Sequence, residues 1–139
     1  MTHPQTLQEF NASAAKFAAA LRPLPDRATV VGLYGELGAG KTTFVQAAAK
    51  ALGVREKVKS PTFLIMKSYQ LPHLPIGGQA TTFYRLLVHI DAYRLKHSEE
   101  LQKLGFSELL RDPYNLIFVE WADKVSAILP SDHRVLQLP

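Results

Sequence analysis

Apolar residues recur at helical spacing in one stretch of the chain and stand in near-continuous runs in others, and the switch between the two predicts its elements. In residues 6–21, Leu7, Phe10, Ala14, Phe17, Ala18 and Leu21 fall at helical spacing on one face. Thr6-Leu7-Gln8-Glu9 has the form of a capping box, so Thr6 is the expected N-cap. Pro23 and Pro25 end the helix. Residues 28–34 then form a mostly apolar run rich in β-formers, the pattern of a buried strand. Residues 43–52 have helix-forming composition and stop at Gly53, a good residue just past a helix end.

Beyond this helix lies a basic connector, 54–59, followed by Ser60-Pro61-Thr62 and an expected strand over 63–69. Residues 71–81 carry Pro72, Pro75, Gly77 and Gly78 and read as an exposed loop. A strand is expected over 83–91 and another over 116–120, each ending in a carboxylate, Asp91 and Glu120. Between them a short helix is expected from Ser98, with Ser98 as its cap and Glu99 and Glu100 in its first turn. Gly105 ends it, and residues 106–110 add one more turn. Trp121 opens a last short helix through Ile128, and residues 133–138 form a final strand. Neither a repeat nor a second domain is evident, so residues 1–139 read as one domain.

Composition narrows the function classes. The apolar fraction of 47% is ordinary for a globular protein, and no apolar run approaches a membrane span. The start lacks the basic-then-apolar layout of a signal peptide. With no cysteine, the chain has no disulfide, thiolate metal site or cysteine nucleophile, which fits a cytoplasmic setting. The formal charge of +4 suits a bound nucleotide, RNA or an acidic partner, and equally a solvated surface of lysines and arginines.

The chemistry concentrates at Gly35-Glu36-Leu37-Gly38-Ala39-Gly40-Lys41-Thr42, which matches G-x-x-x-x-G-K-T, the P-loop, with a strand before it and a helix after it. Glycines allow main-chain N–H groups to approach phosphate oxygens, and the helix aims its positive end at the same place. Residues 36–43, from Glu36 through Leu37, Gly38, Ala39, Gly40, Lys41 and Thr42 to Thr43, are therefore the expected nucleotide cradle. Lys41 reaches the outer phosphates, and Thr42 offers a hydroxyl to Mg2+. A P-loop enzyme also needs a carboxylate at a neighbouring strand end, and Asp91 and Glu120 both qualify. His89 shares a strand face with Asp91 and suits either a bond to a phosphate or carboxylate, or a structural role. Trp121 suits either stacking at the rim or core packing, and Ser60-Pro61-Thr62 either a functional loop or a plain turn.

The assembled motifs resemble the TsaE family, formerly YjeE, small bacterial P-loop ATPases needed to make threonylcarbamoyladenosine in tRNA. The matching pieces are Gly-Glu-Leu-Gly-Ala-Gly-Lys-Thr-Thr-Phe at 35–44, Ser-Pro-Thr-Phe at 60–63, His-Ile-Asp-Ala-Tyr-Arg-Leu at 89–95 and Val-Glu-Trp-Ala-Asp at 119–123. The resemblance implies an α/β fold of the P-loop NTPase type: three layers, a mainly parallel central sheet with helices on both faces, and some antiparallel edge strands. It implies ATP and Mg2+ as cofactors, Lys41, Asp91 and Glu120 as catalytic residues, and Thr42 and Glu120 on the metal. Thr43 and Trp121 lie near the nucleotide on this reading, and residues 60–63 form a switch-like loop by its outer phosphate. The implied partners are TsaD and TsaB, with tRNA reached indirectly through them and no membrane involved. In two places the chain departs from the family: the 71–82 loop is longer than the usual hairpin, and relatives generally continue past the position of Pro139 into another strand. A small-molecule kinase of the P-loop class and a nucleotide-dependent binding module with negligible turnover are the alternative functions.

Overall fold

The computed structural model describes residues 6–36, 40–72 and 83–138. In chain order the elements are α1 (Leu7–Ala20), β1 (Thr29–Tyr34), α2 (Lys41–Ala51), β2 (Met66–Gln70), β3 (Leu86–Asp91), α3 (Ser98–Gln102), α4 (Phe106–Leu110), β4 (Asn115–Glu120), a 3₁₀ helix (Ala122–Ile128) and β5 (Arg134–Gln137). The strands form one five-stranded sheet in the order β2-β3-β4-β1-β5. β3, β4, β1 and β5 run parallel, and β2 pairs antiparallel with β3 at the edge. This is the three-layer α/β arrangement expected from the sequence.

Strand alternation builds both layers. Val31, Leu33, Leu87, Leu116 and Phe118 point to one face, where α1 and α2 cover them with Ala14, Ala18, Phe44, Val45 and Ala48. Their neighbours Val30, Val88, Ile90, Ile117 and Val119 point to the other, against Leu101, Phe106 and Val125 from α3, α4 and the 3₁₀ helix. Phe10 and Phe17 of α1 meet the Phe44 ring edge-on, with centroids 6.0 and 5.7 Å away. Thr6 caps α1, its hydroxyl accepting from the Glu9 N–H at 3.0 Å. Among the described residues no helix is long and apolar enough to cross a membrane.

Four local expectations change. Leu7 belongs to the predicted apolar face of α1 but is 66% exposed, because burial on that helix begins only with Phe10. The strand expected over 63–69 starts at Met66, since the N–H groups of Leu64 and Ile65 both turn back to the Pro61 carbonyl. The strand expected over 83–91 starts at Leu86: Phe83 lies under the Arg22 guanidinium, and the hydroxyl of Tyr84, buried in the core, bonds Thr29 at 2.8 Å. The cap of α3 is His97, not Ser98, because the Glu100 carboxylate accepts the N–H groups of Lys96 and His97 and fixes the first turn one residue earlier. Those two bonds also hold the Glu100 carboxyl below the usual carboxylate range. The expected loop over 71–81 falls mostly outside the described residues.

Gly53 closes α2 as a Schellman motif: its N–H donates to Lys50, and that of Val54 donates to Ala49. Its φ is +99°, and an added Cβ would lie 2.6 Å from Cγ of Pro72. Gly53→Ala is expected to lower the unfolding free energy by about 2 kcal/mol, from left-handed strain and overpacking together. Urea denaturation followed by circular dichroism measures this, and a change within ~0.5 kcal/mol would contradict it.

Candidate functional site

A cleft of ≈ 430 Å³ opens where the carboxyl ends of β3 and β4 meet the start of α2. Ligands collect in such crevices of open parallel sheets. Gly40, Lys41, Thr42 and Thr43 form one wall from the first turn of α2. Asp91 and Glu120 face it, each the last residue of its strand, and the parallel register sets them directly opposite one another. Ser60 and Thr62 close one side, and Tyr93 and Trp121 another.

Gly40 enters α2 with φ +94°, and a Cβ there would meet the Phe10 ring at 3.3 Å. Lys41 is buried, and its Nζ donates to the carbonyls of Gly35 and Glu36 at 2.7 and 2.8 Å. The same ammonium sits 4.0 Å from the centre of the Trp121 ring. A full positive charge is thus fixed at the helix start, where unpaired N–H groups already favour anions. The Glu36 side chain itself points to solvent. Leu37, Gly38 and Ala39, expected in the nucleotide cradle, lie outside the described residues.

Glu120 is the most constrained group in the cleft. Its carboxylate is almost wholly buried and accepts the Thr42 hydroxyl, which stands 2.9 and 2.8 Å from its two oxygens. Its Oε2 also lies 2.5 Å from Nε2 of His89, a fully buried side chain. One proton held between the two atoms closes this contact, and Nδ1 has no partner among the described residues. Of the roles open to His89, the structure realises the bond to a carboxylate. That carboxylate belongs to the neighbouring strand and not to Asp91.

Asp91 is held by different partners. Its Oδ2 accepts the Thr62 hydroxyl at 2.8 Å, and Thr62 in turn bonds Ser60 at 2.7 Å. Its Oδ1 accepts the N–H of Tyr93 at 3.0 Å, an Asx-type turn that carries Tyr93 to the cleft wall. Tyr93, which lies within the 89–95 motif but has no role there, also lines the cleft, and the aspartate two residues before it is the signal in the sequence. Trp121 takes left-handed angles (φ 56°, ψ 46°), which turn its indole across Lys41 and to within 5.0 Å of the Tyr93 ring. It is half-buried, with one flank on the core and the other on the cleft.

The sequence profile of the family described as Threonylcarbamoyl adenosine biosynthesis protein TsaE matches residues 5–139. The chain belongs to the TsaE family. It is 35% identical over 136 residues to a Rickettsia bellii protein named tRNA threonylcarbamoyladenosine biosynthesis protein TsaE, covering 94% of this chain and 83% of that one. The Haemophilus influenzae protein of the same name is 36% identical over 119 residues, 83% of this chain and 66% of its own length. The Bacillus subtilis TsaE is 38% identical over 103 residues, 74% of this chain, which spans only 56% of it. Among solved structures, Bacillus subtilis YdiB superposes with a TM-score of 0.70 at 28% identity, over 96% of this chain and 72% of that one.

Removing one partner of a buried charged group leaves the other unpaired. His89→Leu is therefore expected to cost about 3 kcal/mol of stability, and Glu120→Gln in the same chain to return part of it. A double-mutant cycle by urea denaturation measures the coupling; additivity within ~0.3 kcal/mol would show that the two side chains do not interact.

Proposed function

We propose that this cleft binds ATP with Mg2+ and hydrolyses it, and that the chain thereby serves threonylcarbamoyladenosine formation in tRNA beside TsaD and TsaB in the cytoplasm. The observation that carries this reading is the Thr42 hydroxyl standing on both oxygens of Glu120, one residue beyond the P-loop lysine. The names of the relatives support the tRNA pathway, and the P-loop supports the nucleotide.

The donor set fits the metal. Thr42 and Glu120 present oxygen donors only, as a hard cation requires, and no cluster of three or more acidic or histidine side chains forms a metal cage among the described residues. Magnesium is ordinarily held by one or two protein oxygens together with phosphates, so the pair would suffice. When bound, the ion supplies charge neutralisation at the phosphate oxygens. Lys41 adds a second positive charge at the helix start, with the Gly35 and Glu36 carbonyls keeping its ammonium aimed at the cradle. His89 fixes the orientation of the Glu120 carboxylate from behind. Asp91, held by Thr62 and by the Tyr93 N–H, provides the second carboxylate, suited to orienting an attacking water. Thr43 and Trp121 flank the nucleotide.

Lys41→Ala is expected to abolish ATP binding in calorimetry and phosphate release in solution. It should also remove the thermal stabilisation by Mg-ATP, worth about 2.7 kcal/mol at a hundredfold excess over Kd. Retained binding and turnover in that variant would reject the site. A phosphorylated small molecule in place of free phosphate would make the chain a kinase. With TsaD and TsaB present, multiple rounds of tRNA modification should require ATP and stop with a non-hydrolysable analogue.

A further inference from the structure

The least expected surface feature lies beside the cleft. Phe63 is 87% exposed and Leu64, directly after it, 69% exposed. Burial is the usual fate of such side chains, so two adjacent ones held in solvent at a fixed turn point to a contact surface. They form the tip of a turn closed by the Pro61 carbonyl, which accepts the N–H groups of Leu64 and Ile65. Ile65 completes the turn at φ +70°, a conformation that a β-branched residue adopts only under constraint.

The tip hangs from one residue of the cleft at both ends. On its leading side the Thr62 hydroxyl donates to Oδ2 of Asp91 at 2.8 Å. On its trailing side the Asp91 N–H donates to the Ile65 carbonyl at 2.8 Å. A displacement of Asp91 therefore pulls on both stems of the turn that carries Phe63 and Leu64. The neighbouring rim adds exposed aromatic and cationic groups. Arg94 stands 5.3 Å over the Phe63 ring, and Lys124 stands 5.4 Å from the half-exposed Tyr93 ring. The cleft carboxylates, Asp91 and Glu120, are turned inward to their own partners, and among the described residues neither Arg94 nor Lys124 forms a salt bridge.

We propose that Phe63 and Leu64 anchor a partner protein by entering an apolar pocket with an acidic rim, and that Asp91 sets the position of this anchor according to the state of the cleft. Charge complementarity with Arg94 and Lys124 selects the acidic rim. Aromatic and arginine side chains at the centre of a small exposed patch are the groups that most often dominate binding. The inference rests on the partnership proposed above and names the surface that would make it.

Titration of the wild-type chain, Phe63→Ala, Leu64→Asp and Arg94→Glu against the TsaD–TsaB assembly, by surface plasmon resonance with Mg-ATP present, tests the anchor. Phe63→Ala and Leu64→Asp should each bind about 30-fold more weakly or worse. Arg94→Glu should lose affinity most at low salt. Leu64→Asp should keep the wild-type melting temperature and ATP affinity, which separates a lost contact from a lost fold. Wild-type affinity in both tip variants would overturn the anchor while leaving the partnership standing. No binding by the wild-type chain would overturn both. If light scattering found a wild-type dimer that Leu64→Asp dissolves, the tip would belong to a second copy and the proposal would fall.

Discussion

One buried carboxylate ties three elements of this protein together. Glu120 ends β4, accepts the hydroxyl of Thr42 from α2, and receives a bond from His89 of β3. Withdrawing a carboxylate from water is costly unless donors replace the lost hydration. Here the donors come from the helix behind the P-loop and from the adjacent strand, so satisfying the charge also fixes their mutual position. The parallel register has already set Asp91 opposite Glu120, and two acidic strand ends consequently face one helix start. The geometry of the cleft follows from that single requirement together with the sheet order that brings β4 between β3 and β1.

Backbone strain is distributed in the same region. Among the described residues, only Ile65 and Trp121 take positive φ without being glycine; Trp121 lines the cleft, and the carbonyl of Ile65 accepts the N–H of the cleft residue Asp91. Such conformations cost on the order of 1–3 kcal/mol each and persist where surroundings over-determine them. Trp121 is held by the ring of Tyr93 and the ammonium of Lys41, directly after the fixed Glu120. Ile65 is held by its N–H to Pro61 and by its carbonyl to Asp91. In both places the departure re-aims a large side chain: the indole toward the cleft, and Phe63 with Leu64 toward solvent.

Much of this was legible in the residues. The apolar runs ending in Asp91 and Glu120, the glycine-rich turn before Lys41 and the helical spacing in α1 each carry a local physical signature, and the sheet and helices formed around them. The errors share a cause. The strand start at Met66, the cap at His97 and the exposure of Leu7 depend on bonds or contacts formed at the end of an element, where apolar patterning carries little information. The pairing of His89 with Glu120 was hidden for another reason. It crosses 31 residues and depends on strand order, which no local pattern encodes. Gly105, expected only to end the helix from Ser98, also stands at the N-cap of α4, where its φ is +91°.

The two carboxylates, alike in sequence context, are separated by what they are bound to. Glu120 is bound to a helix start and to a fully buried histidine, groups whose movement would disturb the core. The Asp91 carboxylate is bound to Thr62 and to the Tyr93 N–H, and the Asp91 N–H to the carbonyl of Ile65, all in exposed or half-exposed turns. Elements of that kind open at a much lower free energy than buried strands do. Glu120 is thereby tied to the core, and Asp91, equally buried, is tied to the turn that carries Phe63. A cleft whose two carboxylates are tied to different elements can hold a charge and also report it, and the turn carrying Phe63 is the structure through which the report would leave.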